Sequence, residues 1–183
     1  MLRNNFSPFP YLSTDRLTLR KLSLDDAEEI FLLRSSDEVN KYIDRARAND
    51  VDEAFAFINK VNIGIANNKW IYWAICLKEN PALIGTICLW NLNSAENKAE
   101  VGYELLPSFQ GKGIAKEALA QVISYGHNIL MLNKIEAYTN KENLASTRLL
   151  EKFNFVRDLH EESKSDYSVD NPKTVVYSLF KNF

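Results

Sequence analysis

The residues with the clearest chemical potential form a short turn with two glycines near the middle of the chain. The turn, Gln-Gly-Lys-Gly at residues 110–113, separates a strand-like apolar run from an amphipathic helix predicted to begin at Ile114 or Ala115. Several backbone N–H groups converge at such a turn, and the positive end of the helix dipole adds to the field. Successive free N–H groups form a concavity that suits phosphate or pyrophosphate. The spacing therefore predicts a site for the diphosphate of a cofactor.

Two common phosphate-binding motifs do not fit this turn. A P-loop ends in Gly-Lys-Ser/Thr, but here Ile114 follows Gly113. A Rossmann fingerprint would place a third glycine at position 116, where the chain has Lys116. The pattern that remains is Gln110-x-x-Gly113-x-Ala115, between a strand and a long helix.

The composition is that of one ordinary globular domain. The chain has 183 residues, of which 46% are apolar and 25% are charged, and this length is enough for a sizeable core. A net charge of -2 argues against a nucleic-acid partner, which would favour a basic protein. The N-terminus lacks the apolar core of a signal peptide, and no apolar run approaches the ~20 residues of a membrane span. We therefore expect a cytoplasmic protein without a membrane partner.

The two cysteines, Cys76 and Cys88, lie inside apolar runs. They lack the paired Cys/His spacing of a zinc site, so we expect small buried core residues and no metal site.

The elements around the turn follow from hydrophobic periodicity. Alternating apolar residues and runs of β-branched and aromatic residues predict strands, and apolar residues at helical spacing predict helices. Polar turns at residues 78–81 and 91–97 join three consecutive strands into an antiparallel meander. Expected strands are residues 16–20, 70–77, 83–90, 99–105, 135–139, 156–162 and 175–179; expected helices are residues 27–33, 37–43, 52–65, 114–130 and 143–153; a polar loop is expected at residues 163–173.

This order of elements predicts an α+β fold. The strand–helix–strand order makes residues 135–139 parallel to residues 99–105, whereas the other neighbours are antiparallel. Asn154 follows the last long helix, where a left-handed residue commonly ends a helix. We therefore predict one mixed, mostly antiparallel sheet with helices on both faces.

The glycine turn and three other segments resemble one known family. Gln110-x-x-Gly113-x-Ala115 resembles the acetyl-coenzyme A signature of the GNAT N-acetyltransferase superfamily, Arg/Gln-x-x-Gly-x-Gly/Ala. Thr-Asp-Arg-Leu-Thr-Leu-Arg at residues 14–20 resembles the opening of its RimJ/RimL branch, which acetylates the N-termini of ribosomal proteins. Residues 99–103 and 143–155 resemble two later segments of that branch, although Asn154 replaces a family glycine and Phe109-Gln110 stand where the family often has a tryptophan.

The resemblance implies a single GNAT domain over residues 12–183, after an N-terminal lead-in at residues 1–11. Residues 1–10, which include Pro8 and Pro10, are expected to be loosely held. The implied cofactor is acetyl-CoA, whose pantetheine arm would lie in a cleft where residues 99–105 and 135–139 splay apart. The diphosphate would contact the backbone of the turn, and the arm would contact two strand-end residues and one helix-start residue. The cofactor-binding residues implied in this way are Gln110, Gly111, Lys112, Gly113, Ile114 and Ala115 for the diphosphate, and Leu105, Pro107 and Asn143 for the arm.

Acetyl transfer to an amine requires a base for the amine and benefits from an acid for the departing thiolate. By strand alternation Glu100 and Glu104 share one face, and we prefer Glu104 because it lies nearer the turn. Glu136, on the neighbouring parallel strand, is an equal rival as base, and Glu161 and Glu162 are further candidates. Ser146 is the general-acid candidate, because some enzymes of the RimJ/RimL branch have a serine at this position.

These features predict an acetyl-CoA-dependent N-acetyltransferase that works by direct transfer in a ternary complex. The acceptor would be a primary amine, for example the α-amine of a ribosomal protein. The alternatives are a small-molecule or antibiotic acetyltransferase and a catalytically silent acyl-CoA sensor. We expect a monomer or a homodimer, and no motif names the acceptor.

Overall fold

The computed structural model describes residues 4–164 and 173–181. Its strands form one eight-stranded sheet in the order β1-β2-β3-β4-β5-β6-β8-β7. The strands are β1 (Leu12–Ser13), β2 (Leu17–Arg20), β3 (Ile71–Leu77), β4 (Asn80–Asn93), β5 (Lys98–Leu105), β6 (Lys134–Asn140), β7 (Val156–Arg157) and β8 (Thr174–Phe180). The helices are α1 (Ala27–Ser35), α2 (Val51–Ala66), α3 (Ile114–Asn128), α4 (Leu144–Lys152) and α5 (Leu159–Lys164).

The predicted α+β class and the mixed sheet are confirmed. Only the β5–β6 pair is parallel among the strands described, and α3 connects these two strands. Asn154 has a φ of 61°, as its predicted position at a helix end requires. Cys76 and Cys88 are both buried.

Helices cover both faces of the sheet. Neighbouring residues of a strand point to opposite faces, and Tyr72 and Trp73 of β3 make ring contacts on opposite sides. Tyr72 packs edge-on against Phe57 of α2, whereas Trp73 packs edge-on against Tyr125 of α3. The α1–α2 pair therefore covers one face, and α3 covers the other.

The predicted helix over residues 37–43 is wrong, because the chain there forms turns. The buried side chain of Asn40 donates hydrogen bonds from Nδ2 to the carbonyls of Leu33 and Ser36, 2.8 and 2.7 Å away. Asparagine competes in this way with backbone hydrogen bonds, and it stabilises the end of α1 rather than a new helix.

The strand predicted over residues 156–162 is wrong in its second half. After Arg157 the chain forms α5, because the Asp158 side chain accepts a hydrogen bond from the Glu161 N–H at 3.1 Å. This is an N-cap contact, which initiates a helix. Most of the polar loop expected at residues 163–173 lies outside the described residues.

The N-terminal segment packs more closely than a loose lead-in would. Phe6 is 3% exposed and belongs to the core, and its N–H donates to the Asn68 side chain at 3.0 Å. The Trp73 indole donates to the Pro10 carbonyl at 2.8 Å. The described part of this segment therefore contributes to the core.

Candidate active site

The glycine turn has the backbone geometry of an anion cradle. Gly111 and Gly113 have φ values of 72° and 76°, in the left-handed region that favours glycine. Gly113 is the N-cap of α3 and has no side chain to accept the first N–H groups of the helix. The first internal bond of the helix runs from the Glu117 N–H to the Gly113 carbonyl at 3.1 Å.

The N–H groups of residues 111–116 have no acceptor within the described ranges. A Cβ at Gly111 would point into open space. A row of free donors at a helix N-terminus, next to open space, fits a diphosphate. The residues present therefore fit the cofactor that the sequence predicts.

Thr14 and Arg16 support this turn from a distant part of the sequence. The Glu117 carboxylate, in the first turn of α3, accepts hydrogen bonds from the Thr14 hydroxyl, the Arg16 N–H and the Arg16 Nε. The Arg16 Nη1 also donates to the Lys112 carbonyl at 3.2 Å. Partial burial alone would raise the pKa of Glu117, but the hydrogen bonds from Thr14 and Arg16 outweigh it and lower that pKa.

The predicted cleft between β5 and β6 is present. The strands pair over three residues, from Lys98 against Lys134 to Glu100 against Glu136, and then separate. The N-terminus of α4 lies beside the opening, where the Ser146 Oγ is 3.0 Å from the Tyr103 hydroxyl. Burial raises the pKa of Tyr103 to about 12, against the effect of this hydrogen bond, so the phenol is protonated at neutral pH.

The backbone acceptors next to the cleft each have one partner. The Leu105 carbonyl accepts from the Gln110 side chain at 3.1 Å, and the Pro107 carbonyl accepts from the Gln110 N–H at 3.1 Å. A carbonyl has two lone pairs, so each can accept a second hydrogen bond. Asn143 caps α4 through its Oδ1, which accepts from the Ser146 N–H at 3.2 Å.

A cavity of about 900 Å³ joins the glycine turn to the opposite side of the sheet. Its walls come from the turn, from α4, from strands β3–β6 and from residues 38–45. Of the aromatic side chains, those of Tyr42, Tyr72, Trp90, Tyr103 and Tyr138 line it.

Most of the predicted site residues meet in this cavity. Those that line it are Glu104, Leu105, Gln110, Gly111, Gly113, Ile114, Ala115, Asn143 and Ser146, whereas Pro107, Lys112 and Glu136 are not among the lining residues. The Lys112 ammonium lies over the Phe109 ring, 5.5 Å from its centroid.

The three main carboxylate candidates have different surroundings. Glu104 is buried and forms an ion pair with Arg45, with Oε2 2.7 Å from Nη2, and it also accepts from the Thr86 hydroxyl at 3.2 Å. Glu136 is buried between Lys98 and Lys134 and lies outside the cavity. Both are neutralised by fixed cations.

Glu100 lies at the inner end of the cleft and lines the cavity. Its Oε2 accepts a hydrogen bond from the Asn91 side chain at 3.0 Å. Burial raises the pKa of Glu100 to about 7, and the negative charge of Glu136 adds to the effect. A carboxylate of this kind is suited to exchange a proton near neutral pH.

Sequence reasoning missed several residues of the site or gave them too little weight. Strand alternation placed Glu100 and Glu104 on one face, but it did not reveal which of them meets a cation. The Tyr103–Ser146 contact joins residues 43 positions apart, and the Arg45–Glu104 pair joins residues 59 positions apart. The motif at residues 14–20 was visible in the sequence, but its contact with α3 was not.

None of the described helices combines the length and the apolar character needed to cross a membrane.

Comparisons with known proteins point to one family. The model of a family described as "Acetyltransferase (GNAT) domain" matches residues 16–156. The uncharacterized N-acetyltransferase YoaA of Bacillus subtilis (strain 168) is 37% identical to the chain over 150 residues, which is 82% of this chain and 85% of that protein.

Two solved structures have a similar fold. The GNAT-family acetyltransferase from Bacillus anthracis is 25% identical and superposes with a TM-score of 0.76, covering 93% of this chain and 98% of that chain. Mycobacterium smegmatis RimJ, in complex with CoA-disulfide, is 19% identical with a TM-score of 0.75, covering 90% of this chain and 81% of that chain. At this identity the second likeness concerns the fold alone.

Proposed function

Because the chain belongs to the acetyltransferase (GNAT) family, whose members take an acetyl group from acetyl-CoA, we propose that it acetylates the α-amine of a protein N-terminus. The observation that carries the proposal is that one cavity is lined by both the glycine turn and Glu100. Donor and acceptor can therefore be bound together, as direct transfer in a ternary complex requires.

The lining of the cavity supports a peptide as acceptor. A peptide N-terminus offers one amine followed by amide groups. Glu100 can receive the amine, while Lys41 and Tyr42, which line the same cavity, can donate hydrogen bonds to carbonyl groups. The resemblance of residues 14–20 to the RimJ/RimL branch supports the same acceptor class.

Glu100 is the proposed general base. Acetyl-CoA supplies an acetyl group activated as a thioester. Glu100 takes the proton that the acceptor amine loses as the new C–N bond forms and the C–S bond breaks. Its pKa of about 7 leaves a large fraction of the carboxylate ionised at neutral pH while keeping it basic enough to accept a proton.

Ser146 and Tyr103 are proposed to protonate the departing sulfur. The Ser146 hydroxyl donates its proton to the sulfur and regains one from the Tyr103 hydroxyl, 3.0 Å away, and Tyr103, which lines the cavity, is reprotonated from the solvent. The raised pKa of Tyr103 keeps this second donor protonated. Tyr103 thus acts through Ser146 and is a positioning residue.

Cys88 also lines the cavity, but its environment does not favour an acetylated cysteine. Burial raises the pKa of the Cys88 thiol, so the nucleophilic thiolate is scarce at neutral pH. This supports direct transfer from donor to amine.

Calorimetry with acetyl-CoA, followed by thiol-release assays, tests the proposal. The acceptors are short peptides that begin with serine or alanine, the same peptides with an acetylated N-terminus as matched controls, and spermidine. We expect acetyl-CoA to bind and thiol to be released only with the free peptide N-termini. Thiol release with spermidine but not with the peptides would indicate a small-amine enzyme. Binding of acetyl-CoA without thiol release from any acceptor would indicate a sensor. No binding at millimolar acetyl-CoA would refute the cofactor site.

A further inference from the structure

Residues 36–48, here called the acceptor wall, connect α1 to α2 without a helix or a strand. Some of them line the cavity together with residues of the sheet and the glycine turn. The members that line the cavity are Glu38, Val39, Lys41, Tyr42, Ile43 and Arg45. The position of this segment therefore determines the space left for an acceptor.

A small number of side chains hold the acceptor wall together. Asn40 is 1% exposed, and its Oδ1 accepts a hydrogen bond from the Nε of Arg45. The Ala48 N–H donates to the Arg34 carbonyl at 3.2 Å. Arg45 is thus fixed to the same asparagine that ends α1.

Arg45 also joins the acceptor wall to the sheet. Its Nη2 is 2.7 Å from Glu104 Oε2, and the two side chains are only 18% and 6% exposed. Thr86 of β4 holds the other oxygen of the carboxylate. Among the described residues this is the one ion pair between the acceptor wall and β5.

We propose that the Arg45–Glu104 pair locks the acceptor wall against the sheet and thereby positions the acceptor amine beside Glu100. This inference rests on the proposed function and assigns Glu104 a positioning role. A carboxylate held by a guanidinium on one oxygen and by a hydroxyl on the other is poorly placed to take a proton from an amine. Glu100 lies four residues along the same face of β5 and has no such cation partner within the described residues.

The Arg45–Glu104 pair is suited to a structural role because each buried charge compensates the other. Removal of one partner leaves a buried charge uncompensated, whereas removal of both leaves none. Arg45→Met and Glu104→Gln should therefore have similar effects, and the double variant should be no worse than either single variant.

The test compares these three variants with Asp37→Asn as a matched control. Asp37 belongs to the same segment and pairs with Arg47, but its side chain is 97% exposed. The measurements are hydrogen–deuterium exchange of residues 36–48, calorimetric binding of acetyl-CoA, and kcat and KM with the serine-initiated peptide.

Both single variants should accelerate exchange in residues 36–48 by about tenfold or more, because the lock no longer opposes local opening. The KM for the peptide should rise about tenfold, with a smaller change in kcat and in acetyl-CoA affinity. Asp37→Asn should match the wild type in all three measurements.

Two results would overturn the proposal. One is unchanged exchange of the acceptor wall in both single variants. The other is a loss of kcat of about a hundredfold or more in Glu104→Gln alone, with Arg45→Met unaffected, which would make Glu104 the base. If the wild type does not acetylate the peptide at all, the proposed function fails. Hydrogen–deuterium exchange of residues 36–48 then still decides whether the Arg45–Glu104 pair holds the acceptor wall against the sheet.

Discussion

Glu100 and Glu104 show how one strand face can hold two carboxylates with different chemistry. Both are buried, and both line the same cavity. Glu104 is neutralised by Arg45, whereas Glu100 has an amide partner, Asn91, and a second carboxylate nearby. Burial without a cation raises a carboxyl pKa towards neutrality, which is the range a general base needs.

Replacement of Glu100 by glutamine should remove the pH dependence of acetylation near neutrality. In the wild type, kcat should increase with pH through about 7, because only the ionised carboxylate accepts a proton. Glu100→Gln should lower kcat by about a hundredfold or more and abolish this limb of the pH profile. Glu96→Gln, which changes an exposed carboxylate that pairs with Lys98, should leave both kcat and its pH dependence unchanged.

The raised pKa also predicts the pH dependence of stability, independently of activity. Folded Glu100 keeps its proton up to about pH 7, whereas the unfolded chain releases it near 4.5. Between these values the folded state binds more protons, so the free energy of unfolding should fall as pH rises, and then level off. If the free energy of unfolding falls no more with rising pH in the wild type than in Glu100→Gln, the raised pKa does not belong to Glu100.

At the scale of elements, the glycine turn depends on a contact between the start of the sheet and α3. Glu117 belongs to the first turn of α3, and its partners Thr14 and Arg16 precede β2. Arg16 also holds the Lys112 carbonyl. These contacts hold the loop in one conformation, and if the proposed cofactor binds there, such preorganisation reduces the entropy lost on binding.

Glu117→Ala should weaken acetyl-CoA binding about tenfold without a matching loss of kcat at saturation, because the turn is no longer preorganised. Stability should change little, since the Arg16 side chain is 52% exposed and such ion pairs contribute about 0–1 kcal/mol. Calorimetry with acetyl-CoA measures the first effect and urea unfolding the second. The exposed neighbour Asp15 provides the control, because Asp15→Asn removes the same charge and should bind acetyl-CoA normally. If both variants bind acetyl-CoA equally weakly, the cause is the change in net charge and not the loss of the Glu117 contacts.

At the scale of the whole molecule, the sheet separates two layers of helices and the N-terminal segment closes one edge of the core. Phe6 is buried, and Phe9 packs edge-on against Trp73, with ring centroids 6.4 Å apart. Trp73 in turn contacts Tyr125 of α3. The segment ahead of β1 is therefore linked to α3, the helix that follows the glycine turn.

Phe6→Ala should lower the free energy of unfolding by about 3 kcal/mol, because it leaves a cavity in a packed core. Tyr11→Ala, in the same segment but at a side chain that is 68% exposed, should cost about 0.5 kcal/mol or less. Urea unfolding monitored by tryptophan fluorescence measures both. Equal and small effects would mean that the segment is the loose lead-in that the sequence predicts.

Much of the fold and the donor half of the site could be predicted from local patterns. Each long strand and each of the four longer helices was expected near its observed position. The predictions failed where one side chain overrides periodicity, as Asn40 does after α1 and Asp158 does before α5.

The sequence by itself determined the glycine turn, the helix that follows and the family, because these depend on neighbouring residues and on the order of elements. Only the tertiary structure decided which carboxylate is paired with a cation and which has none among the described residues. Glu100 and Glu104 have the same residue type, the same strand and the same face, and Arg45 reaches one of them from a connection 59 residues away. The electrostatic environment of a buried group depends on such non-local contacts, and no local pattern encodes them.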